Sequence, residues 1–128
     1  MLPAVEPSDV PAAVFERVRT LCLALPEAEL TSDRWAHSFK VRRRVFAHLR
    51  AVDAADGDHV TVLVFTADPD EQEALLASGH PFFPTRSGRN RVGMVLDGSP
   101  DWDEVGELVT ESYRLVAPRK LAALLDAG

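Results

Sequence analysis

The spacing of apolar residues changes twice along this 128-residue chain. Near the N-terminus the apolar side chains recur every three or four residues until Pro26, which predicts an amphipathic helix. From Leu30 to about residue 50 the spacing is two, as is typical of strands. The last third returns to helical spacing, and Pro118 divides it into a pair of helices. This order predicts an α+β fold of two layers. An N-terminal helix, a short middle helix and a C-terminal helix pair would pack on a mostly antiparallel sheet.

A hairpin is predicted around residues 39–50, because eleven or more residues are too many for one ordinary strand. Its two faces differ in chemistry. One parity carries Phe39, Val41, Val45 and Leu49, and the other carries Lys40, Arg42, Arg44, Phe46, His48 and Arg50. The turn is expected near Arg42–Arg44, although tight hairpin turns prefer Asn-Gly or a similar pair.

The segment after this hairpin contains the remaining sheet elements. Residues 60–65 are β-branched or apolar on both parities, which predicts a central strand covered on both faces. Asp68 followed by Pro69 predicts the start of a short helix, and Gly79 predicts its end. Residues 80–90 read as a loop, and residues 92–96 as a further strand.

The length of the chain predicts a single domain over residues 11–128, preceded by a flexible arm over residues 1–10. Cys22 has no second cysteine with which to form an intramolecular disulfide, which favours a reducing compartment. The apolar runs are far shorter than the roughly 18 residues that a membrane span needs. We therefore expect a cytoplasmic protein with no membrane partner, either a monomer or a weak dimer formed through an exposed sheet edge.

Positive charge is concentrated in two short segments. Residues 34–50 and 86–91 hold nine of the fourteen Lys and Arg residues and no Asp or Glu, whereas the whole chain has a net charge of −6. Folding that brings these segments together would create a positive patch on an otherwise negative protein, where an anionic partner would bind.

The first basic segment has the composition of a nucleic-acid surface, because arginines bind phosphates in a forked geometry and aromatic rings stack on bases. The alternative is a solvated sheet face whose arginines pair with nearby carboxylates. The second segment, with Gly88 among its arginines, suits an anion-binding loop, but its lack of a known phosphate-binding motif favours a flexible surface loop. The candidate nucleic-acid-binding residues are Lys40, Arg42, Arg43, Arg44, Phe46, His48, Arg50, Arg86, Arg89 and Arg91.

Catalytic and metal-binding patterns are absent from the sequence. The four histidines have no metal-ligand spacing, and Cys22 falls on the apolar side of its helix, as a core thiol does. Asp101 and Glu104 have the spacing of a helix cap. Trp35 and His37 are the candidates for a pocket beside the basic strand. We predict no enzymatic activity, no cofactor and no metal.

Several segments together resemble the MmcQ/YjbR family. They are Leu21-Cys-Leu-Ala-Leu-Pro26, Trp35-Ala-His-Ser-Phe-Lys-Val-Arg-Arg-Arg-Val-Phe-Ala47, Asp101-Trp-Asp-Glu-Val105 and Ser112-Tyr-Arg-Leu-Val-Ala-Pro-Arg-Lys-Leu121. The resemblance runs from about residue 12 to 126 and implies a compact α+β domain similar to the CyaY-like arrangement. It also implies DNA binding, which the family label attributes to a double wing of hairpins. It brings no active site and no cofactor.

The chain departs from this family pattern at two positions. Arg43 occupies a place in the hairpin turn where a glycine is usual, and Arg91 precedes the late strand where an aromatic is common. Both changes add positive charge. The partner expected from the residues and the resemblance together is DNA, and the alternative is an acidic protein or a small anionic ligand.

Overall fold

The computed structural model describes residues 9–53, 59–86 and 88–126, so that most of the predicted N-terminal arm lies outside the described residues. Four helices and six strands follow one another in the order α1 (Ala12–Leu23), β1 (Glu29–Ser32), β2 (His37–Val41), β3 (Arg44–Asp53), β4 (His59–Thr66), α2 (Pro69–Ser78), β5 (Phe82–Pro84), β6 (Arg91–Val95), α3 (Trp102–Val116) and α4 (Arg119–Leu124).

The six strands form one sheet in the order β1-β2-β3-β4-β6-β5, and every neighbouring pair is antiparallel. Helix α3 lies across β3 and β4, α1 packs beside α3, and α2 covers β5 and β6. The predicted α+β fold with an antiparallel sheet is thereby confirmed. None of the helices in the described residues is long and apolar enough to cross a membrane.

The hydrophobic core lies between the helices and one face of the sheet. Strand register places the core-facing residues in rows across β3, β4 and β6, such as Ala47–Phe65–Val92 and Leu49–Leu63–Met94. The helices contribute Val18, Cys22, Val105, Val109 and Tyr113 to the same cluster. Cys22 is fully buried, and burial raises the pKa of its thiol to about 12, as suits an inert core cysteine.

Several element boundaries agree with the sequence and one does not. Asp68 accepts a hydrogen bond from the Glu71 N–H at the start of α2, and Asp101 caps α3 by accepting from the N–H groups of Asp103 and Glu104. The segment 80–90, predicted to be a loop, contains the short edge strand β5. Three residues give too short a pattern for alternation to reveal.

The hairpin between β2 and β3 turns on only two residues, Arg42 and Arg43. Both have left-handed backbone conformations, with φ of 49° and 69°, as a two-residue turn of the type I′ class requires. Arginine is a rare choice there, because most side chains are strained in the left-handed conformation. Glycine adopts it without strain, and asparagine adopts it more readily than other residues do. The predicted position of the turn is correct, and its two residues project from the end of the sheet.

A β-bulge at Phe46 corrects the predicted alternation of the basic strand. Phe39 pairs with Ala47 but Lys40 pairs with Val45, so Phe46 is an extra residue on β3. The bulge turns the Phe46 ring into the core, where it is fully buried and meets the Tyr113 ring edge-on at 5.4 Å. Phe46 therefore cannot offer its ring to a base, as the uninterrupted alternation predicted.

The bulge also leaves backbone groups without their ladder partners, and Ser112 of α3 satisfies them. Pairing between β3 and β4 stops at Ala47 and Phe65, one position before Phe46 and Thr66 would meet. The Ser112 hydroxyl lies between these two residues, donates to the Phe46 carbonyl and accepts from the Thr66 N–H at 2.8 Å. One buried side chain thus replaces a missing hydrogen bond of the sheet and joins α3 to both strands.

Replacing Ser112 with alanine removes both hydrogen bonds and leaves two buried backbone groups unsatisfied. We expect Ser112→Ala to lower the free energy of unfolding by about 1–3 kcal/mol, the usual penalty for such groups. Urea denaturation measures the loss, and Ser99→Ala, at an exposed loop position, is the matched control. Equal stability of Ser112→Ala and the control would show that the bridge does not stabilise the fold.

Candidate anion-binding cleft

The fold brings the two basic segments to the same end of the sheet. Strand β3 begins there, β4 ends there, and the loop that carries Arg86 and Arg89 enters β6 there. A cleft of about 380 Å³ opens between these elements and the last turn of α3. Its lining is Arg44, Val45, Thr66, Arg89, Arg91, Leu115 and Val116. Arginines from both segments face the same space, and no acidic residue lines it.

Arg91 is the deepest cation of the cleft. Its side chain is partly buried, and its Nη2 donates to the Val45 carbonyl across a long 3.4 Å contact. Burial lowers the pKa of Arg91, and among the described residues no carboxylate lies within 4.0 Å of its guanidinium. Partly buried arginines are usually paired with an acid. The N–H groups of Arg91 that do not reach Val45 are thus available to an anion.

The remaining arginines differ in how freely they can contact a ligand. Arg44 and Arg89 are exposed at the mouth of the cleft, and Arg43 and Arg86 are exposed beside it. Arg42, by contrast, already holds a carboxylate.

The Arg42 guanidinium donates to both carboxylate oxygens of Glu27, at 2.8 and 3.1 Å. This pairing lowers the pKa of Glu27 and raises that of Arg42. The expectation that Arg42 holds a phosphate stays a prediction, and it requires this exposed ion pair to open, because the forked donor surface of Arg42 faces Glu27.

The other candidates on the basic strand face away from the helices. Register places Lys40, His48 and Arg50 on the sheet face opposite the helices, which we call the open face. Burial, reinforced by the charges of Arg50 and Arg91, lowers the pKa of His48 to about 4. At neutral pH, His48 is therefore an uncharged side chain and not one of the cations that the sequence predicted.

Trp35 and His37 do not line the cleft. They lie at the opposite end of β2, in and just after the turn that joins it to β1. The Trp35 ring is 56% exposed and has the Arg34 guanidinium 5.8 Å from its centroid. The His37 ring packs 4.3 Å from Phe15, and its Nδ1 lies 2.7 Å from the Ser32 hydroxyl. These two residues are separate from the basic site.

Four residues of the cleft were missed by the sequence analysis: Val45, Thr66, Leu115 and Val116. The sequence did carry a signal for Leu115, because this apolar residue departs from the apolar stripe of α3. In the structure Leu115 is 48% exposed. Thr66 carried none, since only the tertiary structure places the end of β4 beside the hairpin. In the described part of the chain, no group of three or more His, Cys, Asp or Glu residues is placed to hold a metal ion.

Comparisons with known proteins identify one family model and two similar structures. The family model described as YjbR matches residues 23–115. The crystal structure of the Deinococcus radiodurans protein DR2400, assigned the domain DUF419, is 26% identical with a TM-score of 0.64, and the match covers 79% of this chain and 76% of that one. A protein from Pseudomonas syringae, solved by a structural genomics consortium, is 13% identical with a TM-score of 0.65, over 84% of this chain and 99% of that one. Among curated proteins none matches.

The buried imidazole of His48 has a measurable consequence for pH dependence. The folded protein should keep His48 neutral down to about pH 4, whereas an unfolded histidine takes up its proton near 6.5. Because the unfolded chain then binds more protons, stability should fall by about 2–3 kcal/mol from this residue as the pH drops through that window, and be unaffected by it above. An NMR titration of the His48 ring measures the pKa. A midpoint above pH 6 in the folded protein would contradict the prediction.

Proposed function

This chain belongs to the YjbR family, and we propose that it is a DNA-binding module that holds backbone phosphates in the cleft of Arg44, Arg89 and Arg91. The observation that carries the proposal is the convergence of arginines from two distant segments on one cleft without a lining acid. Neither segment alone distinguishes an anion site from a solvated surface. Their convergence supports an anion site, because grouped like charges repel each other unless an anion compensates them.

The chemistry of the three side chains suits phosphate. A guanidinium presents parallel N–H groups that match two phosphate oxygens, and it is less strongly hydrated than an ammonium. Arg91 is already partly desolvated and tethered to the Val45 carbonyl, so less side-chain freedom is lost when it binds. Arg44 and Arg89 then close over the bound phosphate from the mouth of the cleft.

The two exposed arginines beside the cleft bind the neighbouring phosphates of the same DNA. Arg43 projects from the turn of the hairpin, and Arg86 from the loop before β6. These five cations predict that log K falls against log salt with a slope of about −4, from roughly 0.7 to 0.9 for each phosphate neutralised. The net charge of −6 makes the rest of the molecule repel DNA and directs it to this end.

The size of the cleft favours a second candidate function, the binding of a small anion. A volume of about 380 Å³ is that of a small-molecule pocket, and Val45, Leu115 and Val116 add apolar walls. Isothermal titration with inorganic phosphate and with a nucleoside monophosphate tests it. Binding of either compound by a protein that does not bind DNA would favour this function.

The cytoplasmic location inferred from the lone cysteine stays a prediction.

The double variant Arg44→Gln/Arg89→Gln removes two exposed phosphate contacts without disturbing the core. We expect its salt slope to be shallower by about 1.5 and its affinity at low salt to be weaker by about 50-fold. Fluorescence anisotropy with labelled DNA of about 20 nucleotides, in single- and double-stranded form, measures both quantities. The matched control is Arg17→Gln/Arg19→Gln, which removes the same charge from exposed positions of α1.

The control separates a site from a general charge effect. A loss below about threefold for the α1 variant, with the larger loss for the cleft variant, supports the proposal. Equal losses in both variants, or no DNA binding by the wild type at low salt, would overturn it.

A further inference from the structure

The open face of the sheet adjoins the cleft directly. Strand register aligns Ser38, His48, Val64, Gly93 and Phe83 in one row across five strands of this face. Thr66 and Arg91, which line the cleft, form the next pair along β4 and β6 on the same face. A chain bound in the cleft can therefore continue onto the open face without crossing a loop.

Gly93 shapes the middle of this row. A Cβ at this position would overlap the Phe83 ring, so the absence of a side chain allows the ring to lie over the sheet. Val64, the next residue of the row, is fully buried, although it is outside the core cluster to which the described helices contribute. Phe83 itself keeps part of its surface open to solvent. The open face thus carries a partly exposed aromatic ring that packs over buried residues of the sheet.

Two buried polar atoms on the open face, His48 Nε2 and Arg50 Nε, have no hydrogen-bond partner among the residues that the structure describes. Buried polar atoms of this kind are uncommon and call for a partner. Arg50 and Arg91 lie close enough to His48 to help keep its ring uncharged, so that a neutral imidazole stands between two cations. The uncharged, largely buried ring therefore belongs to the packed base of the open face and adds no positive charge to it.

We propose that the open face is a platform for single-stranded DNA, whose backbone enters the cleft and whose adjoining base stacks on Phe83. The inference rests on the proposed function and specifies its substrate. A base must be unpaired to place its flat face on a protein ring, whereas a duplex keeps its bases stacked inside. Arg50 supplies positive charge on the same face as the ring, which complements the continuing backbone, whereas Lys40 stands opposite Glu29 across β1 and β2.

The experiment compares one labelled strand of about 12 nucleotides, alone and annealed to its complement, by fluorescence anisotropy. We expect the single strand to bind at least about tenfold more tightly than the duplex, and Phe83→Leu to remove most of that preference. Leucine keeps an apolar side chain over Gly93, and Phe83→Tyr keeps the ring, so the tyrosine variant should retain wild-type affinity.

Two further measurements serve as controls, one for the position of the aromatic ring and one for folding of the variants. Trp35→Ala removes an exposed aromatic at the far end of the sheet and should change the affinity by less than about twofold. Urea denaturation of each Phe83 variant confirms that it is folded under the binding conditions. If a variant is unfolded, backbone NMR shifts of wild-type Gly93 and Val64 on addition of the strand provide the second readout, and they must move.

The outcomes separate this inference from the proposed function. Tighter binding to the duplex, full affinity in a folded Phe83→Leu variant, or unmoved Gly93 and Val64 signals would overturn the platform. Salt-dependent binding that still requires Arg44 and Arg89 would leave the proposed function standing. Absence of any DNA binding would overturn both.

Discussion

The hydroxyl of Ser112 holds together the part of the structure on which the candidate site depends. It replaces a hydrogen bond that the sheet cannot make after the bulge at Phe46, and it attaches α3 to β3 and β4 at one point. Leu115 and Val116, in the last turn of the same helix, form walls of the cleft at this end of the sheet. The bulge, the buried serine and the cleft therefore lie next to one another.

Electrostatics then gives this feature its chemistry. Twenty carboxylates are available in the chain, yet none of the described residues that line the cleft is acidic, and Glu27, which reaches the basic hairpin, pairs with Arg42. Glu27 thereby neutralises an arginine beside the site, and no described carboxylate lies within 4.0 Å of the arginines inside it. Burial acts in the same direction, because it weakens the hydration of Arg91 and keeps His48 uncharged. At this end of the sheet, fewer cations are free to bind an anion than the sequence suggested, and three of them line one cleft.

Most of the fold followed from local patterns. The amphipathic stripes of α1 and α3, the caps at Asp68 and Asp101 and the apolar strand β4 were all recognisable, because each depends on residues close together in the chain. Prediction of the site was less complete. Phe46 was assigned to the wrong face, since a bulge shifts the alternation by one residue and arises from pairing with β2. Arg42 was counted as free because Glu27 is fifteen residues away.

From the sequence alone it followed that the chain is an α+β protein, that nine of its fourteen Lys and Arg residues lie in two segments, and that the hairpin turns at the arginines. These properties depend on periodicity and composition, which are local. Tertiary structure alone decided that the two segments meet, that Arg91 lies deepest in their shared cleft, and that Gly93 leaves room for the Phe83 ring beside them. Such properties depend on strand order and register, and these are set by long-range packing of the sheet against α3, which no short stretch of sequence encodes.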